Sequence, residues 1–149
     1  MPLANDYTDL NNSYGFVLMT FLHKIGEEFD SALKEYSIST IHYRVLVTVY
    51  TIYNNENKSI NQKSLGETLK VDRTTMVQLI DHLEDKGYLK REKNPKDRRC
   101  FQLILTDKGN SIINPICKIR DDVQDKCLKE STENEKRIFR EICEKIGRD

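Results

Sequence analysis

Between Lys86 and Arg99 the chain carries seven basic and two acidic residues. Lys90, Arg91, Lys93, Lys96, Arg98 and Arg99 lie in and around the turn-forming stretch Lys93-Asn94-Pro95-Lys96-Asp97, which holds one proline and no glycine. Cations crowded in this way can neutralise phosphate oxygens. Shortly upstream, Arg73, Thr74, Thr75, Val77, Gln78 and Asp81 make a mixed polar strip. Gln can pair bidentately with adenine, Thr can donate or accept, and Val can pack on a thymine methyl. Taken singly, a polar helix face or a charge run is most often a solvated surface. Placed side by side, the two favour phosphate contact coupled to base reading.

Other chemistries have less support. His23, His42 and His82 fall on three separate elements. There is no Ser-His-Asp set, Gly-rich phosphate loop or His-Glu-x-x-His motif. The chain is therefore read as a non-enzyme, and neither metal nor cofactor is expected. Cys100, Cys117, Cys127 and Cys143 form no Cys-x-x-Cys pair and are read as reduced thiols. Cys100 stands apart, because Arg98 and Arg99 could lower its pKa. The net charge of zero hides an uneven distribution: −3 over residues 1–58, +3 over 59–109 and zero over 110–149. A local positive field suits a polyanionic partner even on a neutral chain. Met1 to Ser13 shows no secretory pattern. No apolar run approaches the roughly 20 residues that span a bilayer. A cytoplasmic protein without a membrane partner is expected.

These candidate residues need elements to hold them. Leu18, Leu22, Ile25, Phe29 and Leu33 recur at helical spacing and predict a helix from Tyr14 to Tyr36. Ser39 caps a second helix with Val45, Leu46, Val49, Ile52 and Tyr53 inward. Asn61 opens a short third helix. Asp72 opens a fourth, with Met76, Leu79, Ile80 and Leu83 inward, which Gly87 ends in a left-handed conformation with Tyr88 folding back. Tyr88 to Glu92 reads as a strand, and Phe101, Leu103 and Leu105 alternate in its partner. Thr106 caps a long helix in which Pro115 should introduce a kink or a restart. Thr132 and Glu135 make a capping box for a last helix with Ile138, Phe139, Ile142 and Ile146 inward. The fold class is mainly α with a small β-hairpin wing. Residues 37–105 form a winged helix-turn-helix DNA-binding domain, and 1–36 with 106–149 form a discontinuous helical dimerisation region.

The stretch Leu65-Gly66-Glu67-Thr68-Leu69, followed by Asp72 through Leu89, resembles the helix-turn-helix of the MarR family (multiple antibiotic resistance regulators). Pro95-Lys96-Asp97-Arg98-Arg99, then Leu103-Ile104-Leu105-Thr106 and Gly109, resembles that family's wing. The resemblance implies a homodimer with intertwined terminal helices. It also implies a pseudo-palindromic double-stranded DNA operator and, often, repression relieved by a small aromatic or anionic effector or by thiol oxidation. It further implies that Arg99 enters a minor groove and that Asp97 holds it there. Relatives often bind aromatic acids near the start of the second helix, which makes Tyr36, His42, Tyr43 and Arg44 the candidate effector pocket. Two other functions compete. One is a metal- or redox-responsive sensor on the same fold, for which His42 is available but residues 106–128 supply no His. The other is a protein-interaction module that does not bind DNA.

Overall fold

The computed structural model describes residue 10 and residues 13–56, 58–95 and 101–147. Helix α1 (Tyr14–Leu33) runs into a single 3-10 turn, Lys34–Tyr36, and then α2 (Thr40–Glu56), α3 (Gln62–Leu69) and α4 (Arg73–Asp85) follow. Strands β1 (Leu89–Lys93) and β2 (Phe101–Leu105) precede α5 (Asp107–Cys127) and α6 (Glu133–Ile146). The strands are antiparallel, with Leu89 opposite Leu105 and Arg91 opposite Leu103. Ile60 bridges to Leu103 and adds a short third rung, in which the Leu103 amide donates to the Ile60 carbonyl at 2.8 Å.

Local side-chain chemistry sets the helix starts. Asn61 accepts from the Ser64 amide, Asp72 from Thr75, Thr106 from Gly109 and Thr132 from Glu135. Each cap satisfies an amide that the first helical turn leaves unpaired. The turn between α3 and α4 rests on Lys70, which adopts a left-handed conformation at φ 54°. Gly87, at φ 75°, closes α4, and the Tyr88 amide donates back to the Leu83 carbonyl at 2.9 Å. Gly109 is required for a different reason. A Cβ there would lie 1.9 Å from the Tyr88 carbonyl oxygen, so α5 can begin this close to the wing base only with glycine.

One apolar core joins the end of α1, α2, α3, α4, the hairpin and the middle of α5. Leu33, Val45, Leu46, Leu65, Ile80, Leu83 and Ile116 are fully buried within it. Three expectations are corrected. Tyr53 is exposed, in the last turns of α2. The helix does not restart at Pro115, which lies inside a single helix that runs on to Cys127. Pro115 and Ser111 are both exposed, so the Ser111 carbonyl freed by the missing N–H faces water. On α6, Ile138, Ile142 and Ile146 are exposed and nothing on that helix is buried. Its one aromatic contact is Phe139 edge-on to Phe21, centroids 5.6 Å apart.

Candidate nucleic-acid interface

The two short helices α3 and α4 enclose a concavity lined by Gln62, Lys63, Gly66, Glu67, Lys70, Val71, Asp72, Arg73 and Met76. Arg73, Thr74, Val77 and Gln78 are exposed on α4. The opposite face, Met76, Leu79, Ile80 and Leu83, is buried. Thr75 behaves differently from its neighbours. Its amide and hydroxyl both bind the Asp72 carboxylate, at 3.0 and 2.6 Å, so its hydrogen bonding is spent on the cap. Those bonds also hold the Asp72 carboxyl below its usual pKa. Lys63 and Lys70 lie on the same concavity as Arg73, and neither was among the sequence candidates. The signal for them was present: exposed cations on the first helix of a helix-turn-helix flank the groove that the second helix enters.

The cations of β1 separate into two kinds. Lys90 pairs with Glu92 at 2.6 Å on one face of the strand. Lys93 is exposed. Arg91 is only a quarter exposed, and its guanidinium is taken up internally. It meets Asp81 at 2.8 Å, Glu84 through the same nitrogen, and the Gln62 side-chain oxygen at 3.0 and 3.3 Å. Its backbone amide also donates to Glu84 at 2.7 Å. Arg91 thus ties β1 to α3 and α4 and has little donor capacity left for an external anion. Lys96, Asp97, Arg98, Arg99 and Cys100 lie outside the described residues.

The proposed effector quartet does not converge. Successive residues on a helix point about 100° apart, and α2 follows that rule. His42 packs against His82 of α4, with ring centroids 4.5 Å apart and the rings tilted by 39°. Tyr43 turns into the core, edge-on to Phe29 at 4.9 Å, and its hydroxyl accepts from Arg120 of α5 at 3.1 Å. Arg44 donates to the Leu69 carbonyl at the end of α3, at 3.2 Å. Tyr36 offers its carbonyl to the Tyr88 hydroxyl at 3.0 Å. Burial pushes the Tyr43 hydroxyl pKa up. Burial also pulls His42 down to about 4, aided by His82 and opposed by Asp30. Among the described residues, no group of three or more His, Cys, Asp or Glu could hold a metal. No described helix is long and apolar enough to cross a membrane.

A sequence profile of the MarR family matches residues 42–101, from the first turn of α2 through the helix pair and β1 to the first residue of β2. The chain is 32% identical over 119 residues to the HTH-type transcriptional regulator SarZ of Staphylococcus aureus, covering 80% of this chain and 76% of that one. The chain belongs to the MarR family. It is a MarR-type, DNA-binding transcriptional regulator. Solved MarR-family structures share its winged-helix fold. The transcriptional repressor CouR, bound to a 23-mer DNA duplex, superposes with a TM-score of 0.82 at 23% identity, covering 95% of this chain and 96% of that one. A mutant MarR from E. coli complexed with operator DNA gives 0.77 at 22% identity, covering 89% and 92%.

Proposed function

We propose that this MarR-family regulator is a repressor that binds a pseudo-palindromic operator as a homodimer. Residues 37–105 serve as the DNA-reading domain, and the terminal helices, 1–36 with 106–149, as the dimerisation region. The carrying observation is the exposed strip Arg73, Thr74, Val77 and Gln78, set between the cations of α3 and the base of a basic wing. Helix α4 supplies base contacts in a major groove. Lys63, Lys70, Arg73 and Lys93 supply phosphate contacts, and the wing reaches the adjacent minor groove. Phe16, Val17, Leu18, Met19 and Leu22 on α1, with Ile138, Ile142 and Ile146 on α6, expose more apolar surface than a monomer ordinarily leaves to water. A second copy, with its own α1 and α6, is the occupant that closed two-fold symmetry supplies. In this reading a small-molecule effector acts at the boundary between dimer helices and winged domain. Tyr36, His42, Tyr43 and Arg44 do not build its pocket by themselves.

Selection of bound sequences from random duplex DNA tests the assignment. The expected product is a two-fold site with half-sites about 10 base pairs apart, or a multiple. Gln78→Ala and Thr74→Ala should each cost about 1–3 kcal/mol and relax preference at one position per half-site. Unchanged selection profiles in both variants would remove α4 from its reading role.

A further inference from the structure

The elbow between α1 and α2 is held from the other side by the reading domain. Ser37 sits at this elbow in a left-handed conformation, φ 56°, a strained choice for a residue with a side chain. Its carbonyl accepts a hydrogen bond from His82 Nε2 at 2.7 Å. A carbonyl can only accept, so Nε2 carries the proton. One residue back, the Tyr36 carbonyl accepts from the Tyr88 hydroxyl at 3.0 Å. His42 braces the His82 ring by packing against it, tilted, with centroids 4.5 Å apart. His42 is itself fixed at Nδ1, which accepts from the Ser39 amide at 3.2 Å and lies 2.8 Å from the Ser39 hydroxyl. Both tethers therefore run from consecutive elbow carbonyls to the C-terminal end of α4 and the residue just beyond its closing turn.

We propose that His82 is a positioning residue that fixes operator half-site spacing by pinning the recognition helix to the α1–α2 elbow. The inference rests on the dimeric, two-half-site reading above. Thr74 lies eight residues before His82, about 12 Å along the helix axis at ~1.5 Å per residue. A swing of about 10° at the His82 end would displace the base-reading end by ~2 Å. Two-fold symmetry doubles that to ~4 Å, slightly more than the ~3.4 Å rise of one base pair. A single hydrogen bond at this end of α4 thus acts on a distance that DNA measures in whole base pairs. His82 touches no DNA in this arrangement. Its removal should leave the base preferences within each half-site unaltered.

The test measures affinity for the selected operator and for versions with one base pair inserted or deleted between half-sites. The wild type should lose about tenfold or more on either change, in line with the ~1–3 kcal/mol cost of a defective site position. His82→Phe keeps a ring against His42 but has no donor, and should reduce that penalty to about threefold or less. His82→Gln places an amide N–H near the position of Nε2 and should restore wild-type discrimination. Equal spacing profiles in all three proteins would overturn the inference. So would His82→Gln behaving like His82→Phe, because the ring rather than the tether would then be responsible. A wild-type footprint covering one half-site overturns the dimeric reading and this inference with it. A two-half-site footprint with unchanged spacing profiles overturns this inference alone.

Discussion

Helices α4 and α6 are nearly equal in length, 13 and 14 residues, and both are amphipathic. Four residues of α4 are buried and none of α6. The difference lies in the surroundings rather than in the helices. The stripe of α4 meets α2, α3 and the hairpin, whereas α6 sets Phe139 against Phe21 and buries no residue. Helix α1 repeats the contrast within one element: Phe29 and Leu33 are buried, while Leu18, Met19 and Leu22 are not. An apolar stripe states that a surface is to be covered and says nothing of which chain covers it.

That contrast can be broken in the winged core and in the arms separately. Leu46→Ala removes a fully buried side chain and should cost about 2–5 kcal/mol of stability, the same at every protein concentration. Ile142→Glu should leave the core intact and lower the dimer population, so that sedimentation at micromolar concentration shows monomer and the melting temperature loses the concentration dependence expected of the dimer. Wild-type assembly in that variant would place the interface elsewhere.

A finer comparison sets Arg91 against Lys93, two residues apart on one strand. Both are cations, but one is internally paired and the other exposed. Lys93→Ala should reduce the slope of log affinity against log salt by roughly 1, the signature of a lost phosphate contact. Arg91→Ala should weaken operator binding with the slope unchanged, because it loosens the hairpin from α3 and α4. A reduced slope for Arg91→Ala would return that residue to the phosphate contacts.

The smallest expected effect concerns acid. His42 has a folded pKa of about 4 against 6.5 when unperturbed, so the unfolded chain binds its proton first as pH falls. The stability from keeping His42 neutral is complete above pH 6.5 and is lost as pH falls from 6.5 towards 4. The groups facing it are His82, which deepens the shift, and Asp30, which opposes it while accepting from the Thr40 amide and hydroxyl. His42→Gln should flatten that part of the stability profile by denaturant titration, and an unchanged profile would assign the acid loss to other groups.

Much of this architecture is legible in the sequence because it is local. The caps at Asn61, Asp72, Thr106 and Thr132 each reach an amide three residues on. Gly87 and Tyr88 close α4 within one turn. Lys70 is less legible, since lysine has no preference for the left-handed region that the α3–α4 turn imposes on it. Arg91 was read as a phosphate ligand because a cation in a basic run looks free until its partners are seen. Its acidic partners Asp81 and Glu84, three residues apart on one face of α4, were the available clue. The effector quartet failed to meet because neighbours in sequence diverge on a helix. What brings side chains together at His82 spans 40 residues or more, from Ser37 and His42, and no periodicity records it.

Tyr88 touches both ends of the reading unit. Its hydroxyl meets the Tyr36 carbonyl where the chain enters, and its own carbonyl accepts from the Thr106 amide, at 3.1 Å, where the chain leaves. Entry and exit therefore adjoin, as they do in segments that tolerate insertion into a host. A segment exchanged between these two points would keep the gap it must bridge, but it would also have to remake the contacts of Tyr43 with Phe29 of α1 and Arg120 of α5. A replacement would need a tyrosine at this junction, whereas the glycine that lets the wing base approach α5 stays with the departing helix.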